Sequence, residues 1–184
     1  MDGTARKTHT TAVVIIPPQA VQAPIQRWRE RYDRQVGRWM PHITLLYPFR
    51  PAEEFDGLRP EFERVCAGLP RFELCFERAR HFRQGPTRRT LWLDPVPHEP
   101  LCELVRRLLA IVPDCTDTGR FAGGFTPHLS LGQAEGAQAF QALRQSLCEQ
   151  WQPLSFPVDR VALIHRNEPP DDIFRVAYEC ALGG

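Results

Sequence analysis

Lysine is almost missing from this sequence. The chain has 184 residues, and its 23 basic residues are a single lysine, Lys7, and arginines. No G-x-x-x-x-G-K-[ST] segment occurs, which excludes the phosphate-binding loop of P-loop proteins. Enzymes that form a Schiff base or a lysyl-nucleotide intermediate need a positioned lysine, and Lys7 lies in a polar N-terminal segment. The sequence therefore argues against both kinds of covalent lysine chemistry.

Paired cysteines are missing as well. The six cysteines are scattered along the chain, and no two of them form a C-x-x-C pair. A zinc site or a disulfide framework would need closely and regularly spaced cysteines, whereas isolated ones suit free thiols in a reducing compartment. We therefore expect free thiols and a cytoplasmic protein.

The sequence also has no long apolar run and little net charge. The apolar stretch AVVII, residues 12–16, is far shorter than the roughly 20 residues that cross a bilayer. The polar start MDGTARKTHT does not resemble a signal peptide. The net charge of +1 argues against an extended electrostatic track along a nucleic acid, although it allows a local basic patch. We expect no membrane partner.

The order of predicted elements suggests a duplicated fold. Apolar periodicity predicts helices over residues 22–35, 53–69, 98–112 and 134–151, and strands over 11–18, 42–48, 71–82, 89–95, 125–132, 154–166 and 172–182. Each half of the chain has a strand, a helix, a second strand that begins with Pro-His and a second helix, and strands follow the second helix in both halves. We predict a flexible tail over residues 1–10 and a single domain over residues 11–184, with two αβ lobes of similar shape around one cleft.

Two histidines lie in near copies of one pentapeptide. Residues 41–45 read PHITL and residues 127–131 read PHLSL, so both have proline, histidine, an aliphatic residue, a hydroxyl residue and leucine. Strand residues alternate between the two faces of a sheet. Each strand therefore buries its aliphatic side chains and presents an imidazole beside a hydroxyl. If the lobes face one another, His42, Thr44, His128 and Ser130 meet at one point.

Two imidazoles and two hydroxyls at one point suit a phosphodiester. A neutral histidine can accept a proton from water while a protonated one donates to the leaving oxygen, because the unperturbed pKa of ~6.5 allows both states near neutral pH. The hydroxyls of Thr44 and Ser130 can donate hydrogen bonds to the non-bridging oxygens. This chemistry needs no metal ion or other cofactor. The sequence does not assign which of His42 and His128 is the base.

A two-histidine metal site is an alternative use of the same residues. Such a site needs carboxylate or cysteine ligands at a helpful spacing, and the sequence does not supply them around the two motifs. We therefore favour acid–base chemistry without a metal ion.

Two H-x-[TS]-x motifs about half a chain apart resemble those of the 2H phosphoesterase superfamily, which includes the bacterial 2′-5′ RNA ligase family and the cyclic phosphodiesterases. Residues 89–95, RTLWLDP, also resemble the strand that usually lies between the two motifs. The resemblance implies an α+β, bilobal fold with pseudo-twofold symmetry and largely antiparallel sheets. Many bacterial members carry an arginine five residues beyond the second histidine, where this chain has Gln133.

The resemblance also implies an enzyme. The expected activity is hydrolysis of a 2′,3′-cyclic phosphate, or cleavage and, in reverse, formation of a 2′-5′ linkage, in ribonucleotides or RNA ends that carry phosphate. We expect His42 and His128 to be catalytic, Thr44 and Ser130 to hold the phosphate, and the protein to be a monomer. The alternative is a non-catalytic module that binds nucleotides or RNA ends in the same cleft. Ligation in the cell, with hydrolysis as a side reaction, is a third hypothesis.

Residues outside the motifs have plainer interpretations. The arginines of the 83–89 turn, Arg83, Arg88 and Arg89, are expected to be solvated, with a phosphate contact as the alternative. Tyr47 and Phe125 are expected to pack in the lobes, although Phe125 could stack on a base. The remaining histidines are expected at the surface, with a place near the cleft as an alternative for His165.

Overall fold

The computed structural model describes residues 6–120 and 123–184. Within these ranges the helices are α1 (Gln19–Tyr32), α2 (Phe55–Ala67), α3 (Glu99–Leu109) and α4 (Ala137–Gln150). The strands are β1 (Thr11–Ile15), β2 (Ile43–Leu46), β3 (Phe72–Phe76), β4 (Ala79–Gln84), β5 (Arg88–Leu93), β6 (Leu129–Glu135), β7 (Leu154–Val158), β8 (Arg160–His165) and β9 (Arg175–Ala181). The chain thus repeats one order of elements, β-α-β-α-β-β, and adds β9 at its end.

Most of the strands form one sheet. Seven strands pair in the order β4-β5-β6-β2-β1-β8-β9, and β3 and β7 form a separate two-stranded sheet. Every pair of neighbouring strands is antiparallel. The prediction of an α+β fold with largely antiparallel sheets and an internal duplication is confirmed.

The two lobes are not the two halves of the sequence. Strand β8, from the second half, pairs with β1, and β4, from the first half, pairs with β5. We call the strands β2, β1, β8 and β9 the β1 lobe, and the strands β6, β5 and β4 the β5 lobe. The two lobes join where Ile43 of β2 lies opposite Leu129 of β6. The first half of the chain therefore supplies β4 to the β5 lobe, and the second half supplies β8 and β9 to the β1 lobe.

Two segments that the sequence predicts as single long strands are each two strands. The predicted strand over 71–82 breaks between Phe76 and Ala79, and the one over 154–166 breaks at Asp159. In both cases the first piece, β3 or β7, belongs to the small sheet and the second piece, β4 or β8, belongs to the large one. Those predictions were wrong because alternation reports which side chains are buried, but not which strand is the neighbour.

The helices cover one face of the large sheet. The main apolar cluster contains side chains from all four helices and the strand residues Ile15, Ile43, Leu93 and Leu129. Helix α3 contributes the predicted stripe of Leu101, Leu104, Val105 and Leu108. Fully burying one such leucine contributes roughly 1.5–3 kcal/mol. Strand side chains of alternate positions point away from these helices, and that opposite face carries the candidate site.

Part of the predicted flexible tail is attached to the domain. The backbone N–H of Thr8 donates to the carbonyl of Phe49 at 2.7 Å, and the N–H of Phe49 donates to the carbonyl of Thr8 at 3.1 Å. The Lys7 ammonium forms an ion pair with Asp117. Residues 1–5 of the predicted tail lie outside the described residues. Across the described ranges, none of the helices has the length and apolar character that spanning a bilayer requires.

Candidate catalytic site

The two pentapeptides supply the two central strands of the large sheet. Their aliphatic residues Ile43 and Leu129 lie opposite one another and are 0% exposed. The leucines that follow two residues later, Leu45 and Leu131, are buried in the same main cluster. Alternation therefore directs the histidine and the hydroxyl residue of each motif to the opposite face, which we call the cleft face.

The pairing of these strands brings the four predicted side chains together. Because Ile43 lies opposite Leu129 in an antiparallel pair, His42 is level with Ser130 and Thr44 is level with His128. Side chains at such positions lie roughly 5 Å apart across the strands and 7–8 Å apart on the diagonal. A group the size of a phosphate placed among them can reach all four. The convergence that the motifs predict is therefore present.

Each histidine is held by the same hydrogen bond. The Nδ1 of His42 lies 2.7 Å from the carbonyl oxygen of Met40, and the Nδ1 of His128 lies 2.8 Å from that of Thr126. A carbonyl oxygen only accepts, so Nδ1–H is the donor in both rings. In the neutral ring this leaves Nε2 as the acceptor, available to a substrate or a water. The proline between each histidine and its partner carbonyl fixes the short turn that makes this bond.

Burial lowers the proton affinity of both rings. It lowers the pKa of His42 from its ordinary value of 6.5 to about 4, and the positive charges of Arg29 and His128 act in the same direction, against the Met40 carbonyl and Asp33. Burial also lowers the pKa of His128. Both rings are therefore neutral at pH 7 in the free protein, and the negative charge of a bound phosphate would favour protonation of one of them.

Aromatic side chains flank both histidines. Trp39 stacks on His42 with ring centroids 4.6 Å apart. Phe82 and Trp92 contact His128 edge-on, at 4.9 and 5.8 Å. These rings fix the imidazole planes and keep water from their sides. The sequence analysis did not identify them, although the position of Trp92 in the strand between the motifs was a usable signal.

A buried ion pair supports the segment before His42. Arg29 of α1 is 2% exposed, and its Nη2 lies 2.9 Å from the Asp33 carboxylate. The same guanidinium donates to the backbone carbonyl of Trp39 at 2.8 Å. Sequence reasoning missed this pair because helical i, i+4 pairs are common and say nothing about burial.

Gln133 takes part in this support. Its side-chain amide donates to Asp33 at 3.3 Å, and its side-chain oxygen accepts from the backbone N–H of Arg34 at 3.0 Å. Gln133 thus joins β6 to the end of α1, a structural use that the motif comparison could not show.

The arginines of the 83–89 turn do not all point the same way. Arg83 lies opposite Arg89 in the β4–β5 pair and on the same face as His81, whose ring contacts Phe140 of α4 at 4.8 Å. Arg83 and Arg89 therefore lie on the helix face, away from the four site residues. For these two arginines the interpretation as a solvated turn agrees with this placement better than a phosphate contact does. The exposed Arg88 lies opposite Gln84 and two residues before Thr90, on the other face of β5, so for it both interpretations stay predictions.

Two other arginines lie near Tyr47. Burial raises the pKa of Tyr47, and the positive charges of Arg166 and Arg38 oppose that rise. Tyr47 in turn contacts Trp39 edge-on at 5.5 Å. Arg38 forms an ion pair with Asp172, and the Arg166 guanidinium lies over the Phe174 ring at 5.6 Å, so both charges have partners within the protein.

A cavity of about 360 Å³ adjoins Thr44 and His128. Tyr47 and Phe125 line it, together with Thr118. The sequence predicts packing for both aromatic residues, and each does pack against an apolar cluster. Each also borders the cavity. Tyr47 does so because β2 ends at Leu46, and the alternation that would direct Tyr47 to the core ends there.

Of the other histidines, the exposed His9 lines the cavity beside Thr44 and His128, with its ring 5.2 Å from that of Tyr47, whereas His165 and His98 lie away from the site. His165 lies opposite Thr11 at the end of β8, two residues after Leu163 of the main core and therefore on the helix face. His98 bonds to Asp94 at 2.7 Å. Among residues 6–120 and 123–184, no group of three or more histidine, cysteine or acidic side chains is arranged to hold a metal ion.

Comparison with known sequences identifies related proteins. A family model described as the 2′-5′ RNA ligase superfamily matches residues 17–170. A protein of Geobacillus kaustophilus named "Putative phosphoesterase" is 30% identical over 141 residues, which cover 72% of this chain and 76% of that protein.

Solved structures share the fold. The chain resembles TT0787 of Thermus thermophilus with a TM-score of 0.65 and 21% identity, over 95% of this chain and 98% of that one. It resembles E. coli LigT, solved with phosphate, with a TM-score of 0.65 and 18% identity, over 97% of this chain and 100% of that one. LigT has also been solved with 3′-AMP. At these identities the likeness concerns the fold.

Proposed function

Because the chain belongs to the 2′-5′ RNA ligase superfamily, we propose that it is a metal-independent phosphodiesterase of the 2H type. Its substrate is a ribonucleotide or RNA end that carries a 2′,3′-cyclic phosphate or a 2′-5′ linkage. Membership of the family supports a phosphoesterase activity, and the proposal specifies the substrate and the mechanism of that activity. We still predict that the protein is a monomer and that it is located in the cytoplasm.

The observation that carries the proposal is the matched arrangement of the two motifs. Two imidazoles, each with Nδ1 bound to a backbone carbonyl, present Nε2 to one face of the central strands. Two hydroxyls lie level with them on the same face. This set can donate two hydrogen bonds to the non-bridging oxygens and move one proton on each side of the phosphorus.

The mechanism assigns one task to each group. One of His42 and His128, neutral, takes a proton from the attacking water. The other, protonated by the charge of the bound phosphate, donates its proton to the leaving ribose oxygen. Thr44 and Ser130 hold the non-bridging oxygens as negative charge develops on them. The same two proton transfers, with a ribose hydroxyl of a second RNA end in place of water, form a new P–O bond as one ring P–O bond of the cyclic phosphate breaks, without ATP, which is the ligation hypothesis.

The test is a screen of 2′,3′-cyclic mononucleotides and 2′-5′ linked dinucleotides, with and without EDTA. We expect turnover of at least one class, a bell-shaped pH dependence and no effect of the chelator. Activity that disappears with EDTA contradicts the mechanism. Tight binding of a nucleoside 2′-phosphate without turnover of any substrate would favour the alternative, a binding module that uses the same cleft. Offering tRNA halves with a cyclic phosphate end, with and without ATP, tests ligation.

A further inference from the structure

Two buried polar atoms on the β5 lobe have no hydrogen-bond partner. The Thr90 hydroxyl and the Trp92 indole N–H find none within residues 6–120 and 123–184. The two residues are 5% and 4% exposed. Proteins pair the great majority of their buried polar atoms, so an unpaired one needs a physical reason.

These atoms adjoin the phosphate-holding end of the site. Trp92 lies opposite Ser130 in the β5–β6 pair, and Thr90 lies two residues before Trp92 on the same face of β5. Phe82 of β4 lies opposite Thr90 and stacks on Trp92 with ring centroids 4.8 Å apart. The same phenyl ring contacts His128. A molecule whose phosphate is held by Ser130 would therefore have its next atoms over this face.

The duplicated fold provides an internal comparison. Thr44 lies opposite Val14 of β1. Ser130 lies in the same way opposite Trp92 of β5. In the β1 lobe, Ala12 and Val14 of β1 are therefore equivalent to Thr90 and Trp92 of β5. On the next strand, β8, Ala162 is equivalent to Arg80 of β4, and Ile164 is equivalent to Phe82. The cleft face is thus apolar in one lobe and polar and aromatic in the other.

The apolar face of the β1 lobe is covered by its own chain. Its strand residues form a small cluster with Phe174, which is 3% exposed, and Trp39 packs against this cluster. Trp92 belongs to neither of the apolar clusters of the described residues. The β5 lobe therefore has polar atoms where the β1 lobe has a closed apolar contact. This difference is expected if a ligand packs on one lobe where the protein packs on the other.

We propose that Phe82, Thr90 and Trp92 form a nucleoside subsite. The Trp92 indole N–H donates to an oxygen of the ribose attached to the phosphate at Ser130. The Thr90 hydroxyl bonds to the next polar atom of the same nucleoside, and the Phe82 ring packs against the base. Phe82 is half-buried on the β4–β5 hairpin at the edge of the sheet, so its ring can turn to admit the ligand. The inference rests on the proposed function, because a phosphate at Ser130 brings the nucleoside to this face.

The test compares a nucleotide with inorganic phosphate. Thr90→Val removes one polar group and keeps the shape of the side chain, whereas Trp92→Phe removes the indole N–H together with one ring. We expect Thr90→Val to raise the Kd of 3′-AMP by about 5- to 20-fold, the effect of one hydrogen bond, and to leave the Kd of inorganic phosphate within about twofold. Because Trp92 also contacts His128, we expect Trp92→Phe to raise the Kd of 3′-AMP by a larger factor than the Kd of phosphate. Isothermal titration calorimetry at one fixed salt concentration measures both.

Thermal unfolding of the free protein provides a second readout. Removing the unpaired buried hydroxyl of Thr90 does not weaken the folded state, so the Tm of Thr90→Val should stay the same or rise. Trp92→Phe also leaves a cavity, which lowers the Tm. Trp151→Phe is its matched control, since it loses the same ring and also a hydrogen bond, from the Trp151 indole N–H to the carbonyl of Phe76 at 2.9 Å. Trp92→Phe should therefore lower the Tm by less than Trp151→Phe does. A fall in Tm for Thr90→Val, together with a fall for Trp92→Phe as large as that for Trp151→Phe, would mean that both groups are paired inside the protein, which overturns the proposal.

The remaining outcomes separate this inference from the proposed function. Unchanged 3′-AMP affinity, or an equal loss for phosphate, overturns the subsite even if the enzyme turns over cyclic phosphates. A selective loss of 3′-AMP affinity supports the subsite even if the wild-type protein turns over none of them, and the failure then belongs to the catalytic proposal alone.

Discussion

At the residue scale, the site depends on which nitrogen of each imidazole carries the proton. Backbone carbonyls two residues upstream hold Nδ1–H in both rings, so chemistry must take place at Nε2. A catalytic histidine that is neutral in the free enzyme can accept a proton directly. The other ring must gain its proton with the substrate, which ties catalysis to binding of a negatively charged group.

Replacing either histidine tests this division of work. We expect His42→Ala and His128→Ala each to lower kcat by about 10²–10⁴-fold, because each substitution removes one proton transfer. Steady-state kinetics on a substrate found by the screen measures the loss. His81→Ala is the control, since His81 lies on the helix face of β4 and should keep wild-type kcat. Activity that survives in the double variant would refute the two-histidine mechanism.

The depressed pKa of His42 also predicts how stability depends on pH. Between pH 6.5 and 4 the unfolded chain binds a proton that the folded His42, with its pKa of about 4, does not bind. The free energy of unfolding therefore falls as the pH falls through this range. The contribution of this one group is roughly 2 kcal/mol between neutral pH and pH 5.

Urea unfolding at pH 7.5 and pH 5 measures this effect. We expect His42→Gln, which cannot titrate, to lose less stability between the two pH values than the wild type does, by about that amount. Equal losses in the two proteins would mean that His42 has an ordinary pKa in the folded state.

At the element scale, β6 is held close to the end of α1. The contact is made at Gly132, where a Cβ atom would lie 2.4 Å from the Cβ of Tyr32 and 2.7 Å from its backbone carbon. Such distances require backbone movement. Gln133, next to this glycine, bonds to Asp33. The close contact at Gly132 therefore also fixes the position of β6 relative to the Asp33 carboxylate, which belongs to the ion pair that supports the segment before His42.

Gly132→Ala should therefore destabilise the protein by about 1–3 kcal/mol or more, since overpacking against backbone cannot be relieved by a rotamer change. Gly57→Ala in α2 is the matched control, because a Cβ there meets nothing within 4 Å. It should leave stability unchanged or raise it by about 0.5–1 kcal/mol. Chemical unfolding of both variants measures the difference, and equal stabilities would show that β6 and α1 are not in tight contact.

At the scale of the whole molecule, the duplicated halves exchange strands. Strand β4 leaves the first half to pair with β5, and β8 leaves the second half to pair with β1. Neither half of the sequence contains a complete lobe. The cleft face, which takes one motif from each half, therefore exists only when both halves have folded together.

We expect the fragments 1–86 and 87–184 to fail to fold separately. Each would leave β1 or β5 without one of its two neighbours, and each lacks the partner for β3 or β7. Circular dichroism and thermal unfolding of the separate fragments should show no cooperative transition, whereas the coexpressed pair should regain one. A cooperative transition in either fragment alone would show that a half is an independent folding unit.

The sequence by itself determined the chemistry of the candidate site and the order of the elements. The two motifs name the imidazoles and hydroxyls, and strand alternation places each pair on one face, because these are local properties of five consecutive residues. The amphipathic stripe of α3 is local in the same sense, and it was predicted correctly.

Only the tertiary structure decided which strands are neighbours. The exchange of β4 and β8, the splitting of two predicted strands and the buried contact of Arg29 with the carbonyl of Trp39 all depend on residues far apart in the chain. The unpaired atoms of Thr90 and Trp92 belong to this group too. Alternation and composition describe how strongly a side chain avoids water, and that preference is the same whichever strand or helix covers it.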